Sequence, residues 1–244
     1  MYDVFFITYD EGNAEENWQI LKSRIPHARR KHGIKGISNA HKACAMDAFT
    51  EMFYTIDGDT IVDTKFDFRF MPPDWDKRYL HLWYSRNPVN DLVYGYGSLK
   101  LWPRRPLLGF DGNWLDFTTT FGNLKIVDEV VATTFFNHDG YSAWKSAFRE
   151  TIKLCFNVAN GDIKESLDRL MVWLNNARDV EFSIDCKIGA MDGLTYFKDN
   201  IGNHAALRLI NDFDWLRDRY SSPRSTHIEK LYRTDVLRML PCKR

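Results

Sequence analysis

The sequence predicts an α/β domain with a helical C-terminal part, and three observations carry that reading. Residues 3–9 and 52–56 are short runs of aromatic and β-branched residues, each read as a buried strand. Helical spacing fills the stretch between them, which is the order of a parallel βαβ unit. Beyond residue 140 the apolar residues recur at helical instead of alternating spacing. The chain therefore divides into an expected core over 1–155 and a helical extension over 156–244.

Each element follows in order. Asp3-Val4-Phe5-Phe6-Ile7-Thr8-Tyr9 is the first strand, closed by the turn Asp10-Glu11-Gly12-Asn13. Residues 14–23 read as a helix with Trp18 and Leu21 inward and Glu15 and Glu16 in its first turn. Pro26 ends it. Arg29, Arg30, Lys31 and Lys35 follow, a basic run that reads either as solvated surface or as a contact for phosphates. Gly33-Ile34-Lys35-Gly36-Ile37-Ser38-Asn39 enters a second helix, with Ser38 the expected cap. His41 and Lys42 stand in its first turn, where the helix dipole favours an anion. Small residues Ala40, Ala43, Cys44 and Ala48 let that helix lie close to a sheet.

The second strand, 52–56, stops at Asp57-Gly58-Asp59. In extended backbone Asp57 and Asp59 face the same way, and Gly58 admits a close approach. Two hard oxygen donors there suit Mg²⁺ or Mn²⁺ with a diphosphate, beyond the carboxyl end of a strand. The same three residues also read as a plain turn. Phe66, Phe68 and Phe70 alternate with charges until Pro72 and Pro73. Further strands are expected over 79–83, 92–101 and 125–136, with a polar loop over 85–91, a turn at Asp111-Gly112-Asn113 and an extended piece over 115–120. Gly95 and Gly97, alternating with Tyr94 and Tyr96, suggest a bulge. Helical stripes follow through Trp144, Phe148, Ile152 and Cys155, then Ile163, Leu167, Leu170 and Leu174 after an Asp162/Glu165 cap, then Ala206 to Leu216.

Composition limits the function classes. The 244 residues carry 33 basic and 33 acidic side chains, and this neutrality argues against bulk electrostatic capture of nucleic acid. At 44% hydrophobic and 27% charged the chain is an ordinary globule, and its 15% aromatic content is enough to line a binding surface as well as a core. Cys44, Cys155, Cys186 and Cys242 form no Cys-x-x-Cys pair, so neither zinc nor a disulfide framework is expected. The spaced cysteines fit a reduced, cytoplasmic setting, and neither a signal peptide nor a membrane-length apolar run is expected.

Three stretches carry a resemblance. The Phe-Ile-Thr-Tyr-Asp strand end, the Gly-Ile-Lys-Gly-Ile-Ser-Asn-Ala-His helix entry and Asp57-Gly58-Asp59 resemble glycosyltransferases of GT-A architecture, a Rossmann-type mixed sheet flanked by helices. Ser85-Arg86-Asn87-Pro88-Val89-Asn90-Asp91-Leu92 and Trp144-Lys145-Ser146-Ala147-Phe148-Arg149-Glu150 resemble a group of bacteriophage-encoded glycosyltransferases, with most of residues 2–155 covered. The resemblance implies a nucleotide-sugar donor, a UDP-sugar, bound through Mn²⁺ or Mg²⁺. It implies that Asp59 holds the metal, that Asp57 meets metal or ribose, and that His138 adds a third ligand. Tyr9 and Asp10 would meet base and ribose. Lys35, Lys42, Arg86 and Asn87 would meet phosphates and sugar. Asp91 and Asp116 are the favoured general bases, with Glu129 and Glu150 also eligible. The implied acceptor is a hydroxymethylated pyrimidine in double-stranded phage DNA, which would set the protein in the host cytoplasm. A nucleotidyltransferase acting on a sugar phosphate and a non-catalytic nucleic-acid-binding module are the alternatives.

Overall fold

The computed structural model describes every residue except 96, 113–114, 224–226 and 241–244, so the expectations for Tyr96, Asn113 and Cys242 lie outside the described residues. Contacts divide the chain into two compact units, residues 1–87 with 93–135, and residues 88–92 with 136–244. The boundary expected at residue 155 falls inside the helix Gly140–Ala159.

The first unit is built on an eight-stranded sheet. Its strands are β1 (Asp3–Thr8), β2 (Arg29–His32), β3 (Met52–Asp57), β4 (Thr60–Val62), β5 (Leu80–Arg86), β6 (Val93–Tyr94), β7 (Leu99–Pro103) and β8 (Leu124–Thr134). Helices α1 (Ala14–Arg24) and α2 (Ile37–Asp47) join the first three strands, and the short α3 (Arg104–Leu108) and α4 (Phe117–Thr120) come later. The sheet runs β2-β1-β3-β7-β5-β8-β4, with β6 on β5. β1 pairs parallel with β2 and β3, as the βαβ order requires. β7 is antiparallel to both β3 and β5, β8 is parallel to β5, and β4 is antiparallel to β8. This is the mixed α/β sheet flanked by helices that the sequence predicts.

Both faces of the central strands are buried, which is why they read as unbroken apolar runs. Val4, Phe6, Met52, Tyr54, Ile56, Leu99 and Leu101 share one core with Phe66, Phe68 and Trp83. Phe5, Phe53, Leu82 and Trp102 point the other way, against Cys44 and Ala45 of α2, Ala48 just beyond it and Phe117 of α4. The period of two also sends Asp57 and Lys100 to the Phe53–Trp102 face.

Several local expectations are corrected. The basic run contains an edge strand, β2, whose charged side chains suit an edge. Phe66, Phe68 and Phe70 lie on turns; the first two are buried with rings against Tyr54. The strand expected over 92–101 is two pieces, and Ser85 and Arg86 belong to β5 instead of a loop. Residues 117–120 form a helical turn. Gly36, not Ser38, precedes α2, at φ +91°, a left-handed conformation that favours glycine.

The second unit is helical: α5 (Gly140–Ala159), α6 (Glu165–Asn175), α7 (Ser183–Asp199), α8 (His204–Arg208), α9 (Phe213–Ser221) and α10 (Arg233–Met239). α5 and α6 carry the expected stripes, but Ile163 lies ahead of α6 and is exposed. The stripe through Ala206 to Leu216 breaks at Asp212, whose carboxylate accepts the N–H groups of Asp214 and Trp215 and restarts the chain as α9. Among the described residues no helix is long and apolar enough to cross a membrane.

Candidate active site at the carboxyl edge of the sheet

The parallel strands β1, β2, β3, β5 and β8 all end at one edge of the sheet, and β7 begins there. Tyr9, Asp10, Asp57, Asp59, Arg86 and Asn87 follow or end these strands, so the fold gathers six of the sequence-predicted residues along one edge. α2 starts just after β2, which brings Lys35 to the same end.

β3 stops at Asp57, and Gly58 and Asp59 make the turn into β4. The extended backbone expected through Asp59 is therefore absent, and the same-side argument for the two aspartates is replaced by a strand end followed by a turn. The turn is closely held. The Asp57 N–H donates to Ser98 O at 3.0 Å, the Phe135 N–H donates to Asp59 O at 2.6 Å, and Asn17 Nδ2 donates to Gly58 O at 3.0 Å. A Cβ on Gly58 would stand 2.8 Å from Glu11 Oε2 and 2.9 Å from Thr8 Cγ2, so the close approach comes from the end of β1. Glu11 is a site neighbour that sequence reasoning passed over as a turn residue; its Oε2 also accepts the Tyr9 N–H at 2.8 Å.

Lys100 is the larger omission. Its Nζ lies 3.2 Å from Asp57 Oδ1 and 3.1 Å from Oδ2, and its side chain is 2% exposed against 33% for Asp57. Thr55 pairs with Lys100 across β3 and β7, so Asp57, two residues on and on the same face, is in reach. The ammonium orients Asp57 and offsets its charge; Asp59 has its own contact, Thr60 Oγ1 at 3.4 Å from Oδ1.

His41 is buried on the same face, not poised for an anion as its helix position suggests. Its Nδ1 is 2.8 Å from Ile37 O, and its ring lies edge-on to Trp102. Burial, helped by the Lys100 charge, pushes its imidazole down to about 4. Because the folded state resists protonation that the unfolded chain accepts near pH 6.5, stability is full above that pH and is lost as pH falls towards 4. Urea unfolding at pH 7 and pH 5 should show His41 costing the wild type about 2 kcal/mol over that interval. The His41→Gln variant should lose that share of the slope; an equal slope in both proteins would contradict the assignment.

The remaining expected residues have these settings. Lys42 pairs with Asp111 at 2.9 Å, and Lys35 is exposed with its carbonyl accepting Asn39 Nδ2. Arg86 is exposed at the end of β5, and Asn87 beside it is buried. Arg29 pairs with Asp3 at 2.6 Å, Arg30 with Glu15 at 2.5 Å, and Lys31 with Asp47. Asp116 caps α4 by accepting the Thr119 N–H at 3.0 Å, on the segment that enters the amino end of β8. Asp91 and His138 belong to the second unit. There Asp91 pairs with Arg178 at 3.2 Å, while His138 Nε2 lies 3.0 Å from Ser142 Oγ and 3.3 Å from Asp139, the N-cap of α5. Glu150 pairs with Arg169 at 2.5 Å. No group of three or more His, Cys, Asp and Glu side chains converges among the described residues.

No protein-family model matches the chain, and no curated protein sequence does. Among solved structures the chain is similar to a glycosyltransferase involved in the glycosylation of the major capsid of PBCV-1, at 12% identity and TM-score 0.38, over 54% of this chain and 94% of that one. It is also similar to HddC from Yersinia pseudotuberculosis, at 11% identity and TM-score 0.34, over 55% of this chain and 93% of that one. Overlaps of this quality assign no function, and the chemistry rests on the site's own residues.

Asp57 and Asp59 offer hard carboxylate oxygens, and both are partly exposed. That donor set fits Mg²⁺ or Mn²⁺ sharing its remaining positions with phosphate oxygens and water, and does not make a closed protein cage.

Proposed function

We propose that the first unit is a metal-dependent glycosyltransferase that takes a sugar from a nucleotide-sugar, a UDP-sugar, and passes it to an acceptor hydroxyl. The observation that carries this reading is the partly exposed carboxylate pair at the end of β3, with Asp57 fixed by a buried ammonium. Ligands of open α/β sheets bind beyond the carboxyl ends of strands, which is where the pair stands.

Asp59 would hold the cation directly, and Asp57, oriented by Lys100, would complete its carboxylate side or meet the ribose. The cation when bound supplies Lewis-acid assistance to departure of the nucleoside diphosphate. Tyr9 and Asp10, at the end of β1, would meet base and ribose. Arg86, exposed at the end of β5, would meet phosphate or sugar. The acceptor is a hydroxyl; Arg29, Arg30 and Lys31, one of the basic runs that could meet DNA phosphates, are engaged with carboxylates.

Calorimetric titration with UDP tests the reading. UDP should bind in the presence of Mn²⁺ and lose most of its affinity in chelator, and Asp59→Asn should remove the metal-dependent part. Binding of UDP at equal strength with and without metal would overturn it.

A further inference from the structure

The helical unit carries a half-open cavity of about 620 Å³ lined by α7, α9 and residues 222, 223, 227 and 229. That is a size suited to a small organic ligand. We propose that this cavity binds a neutral saccharide of one or two sugar units, independently of the sheet edge.

Arg219 and Asp192 form its fixed polar wall. The Arg219 guanidinium lies 5.1, 4.6 and 5.7 Å from the ring centroids of Phe148, Tyr196 and Trp215, so its plane is held by aromatic contacts. One of its terminal nitrogens is 3.6 Å from Asp192 Oδ1, and its Nε is buried without an acceptor among the described residues. Asp192 is held from the other side by Trp144 Nε1, 3.1 Å from Oδ2. Donor and acceptor therefore stand side by side in set positions before any ligand arrives. Asp218, Glu229 and His227 add polar groups, and Trp215 adds an indole to the lining.

The mixture selects the ligand. A sugar hydroxyl both donates and accepts, so it uses carboxylates and a guanidinium together, and a pyranose C–H face can lie on an apolar ring. Among the described lining residues three carboxylates stand against one guanidinium, an excess of negative charge that disfavours nucleotides, phosphates and nucleic acid. An amine is disfavoured in turn, since Arg219 is part of the wall and Asp192 is already paired with it. A neutral polyol meets neither penalty.

The full-length protein should be titrated with a panel of neutral mono- and disaccharides, with putrescine and UDP as controls, and followed by ligand-observed NMR and tryptophan fluorescence. At least one saccharide should bind without metal, in the presence of saturating UDP, and in an Asp59→Asn background. Asp218→Ala and Glu229→Gln alter exposed carboxylates of the lining and spare the Arg219 ring stack. Each should weaken that binding about tenfold, the effect of one charge-assisted hydrogen bond. The proposal is overturned if no saccharide in the panel binds, if both variants bind as tightly as the wild type, or if putrescine binds and the sugars do not. Loss of UDP binding with saccharide binding intact would count against the sheet-edge reading alone.

Discussion

Asp57→Asn is expected to destabilise the protein by about 3–5 kcal/mol, several times more than Lys100→Met. The asymmetry follows from exposure. Lys100 is 2% exposed and Asp57 33%. Without the carboxylate, an ammonium is left in a buried site among Phe53, Leu82 and Trp102, where it must either stay uncompensated or give up its proton. Without the ammonium, Asp57 is left with a third of its side chain open to water and recovers hydration, so Lys100→Met should cost only about 1 kcal/mol. The double variant Asp57→Asn with Lys100→Met should return to within about 1 kcal/mol of the wild type, because both charges leave together. Urea unfolding of the four proteins at pH 7 completes the cycle. Equal losses for the two single variants, or no recovery in the double, would refute the pair as the structure draws it. The cycle also bears on function. An Asp57 variant that loses activity has lost stability as well, so the role of the pair in metal binding is cleanly tested at Asp59.

What the sequence reveals of this site is what is written locally. The β1 and β3 runs end in polar residues, their period of two is intact, and the carboxyl edge follows from the strand–helix–strand order. Lys100 is hidden because its partner is 43 residues away and is defined by the pairing of β3 with β7. One signal was present: a lysine inside Leu99-Lys100-Leu101-Trp102 cannot sit in a buried strand without a counter-charge. The β2 strand is hidden for the opposite reason, since an edge strand of Arg, Arg, Lys and His has no apolar period at all. Asp116 reads as a general base by type and acts as a cap by position, and nothing short of the α4 hydrogen bond separates the two. α7 escapes because the first three turns of its buried face are built from Ser183, Cys186, Gly189, Ala190 and Gly193, mostly small residues, and the large buried side chains Leu194, Tyr196 and Phe197 come only near its end, so no hydrophobic stripe runs along it.

Those small residues make the second large prediction. Gly189 and Gly193 lie one turn apart on α7 and face Trp144 and Phe148, one turn apart on α5. A Cβ on Gly189 would lie 2.4 Å from Trp144 O and 2.9 Å from Trp144 Cα; one on Gly193 would lie 2.7 Å from Phe148 O and 3.1 Å from Thr151 Cβ. The nearest atom in each case is backbone, which no rotamer change can move, so the helices themselves must part. Parting them loosens the packing of Trp144 and Phe148, both fully buried. On an open helix face Gly→Ala stabilises by about 1 kcal/mol. Here Gly189→Ala and Gly193→Ala should instead destabilise by about 2–3 kcal/mol each, with Gly189→Ala the worse because its overlap is deeper. The double variant should cost less than the sum, since one separation of α5 from α7 relieves both clashes. Urea unfolding monitored by tryptophan fluorescence reads these differences. The sign alone decides: an alanine that stabilises either position would mean that the two helices do not meet backbone to backbone.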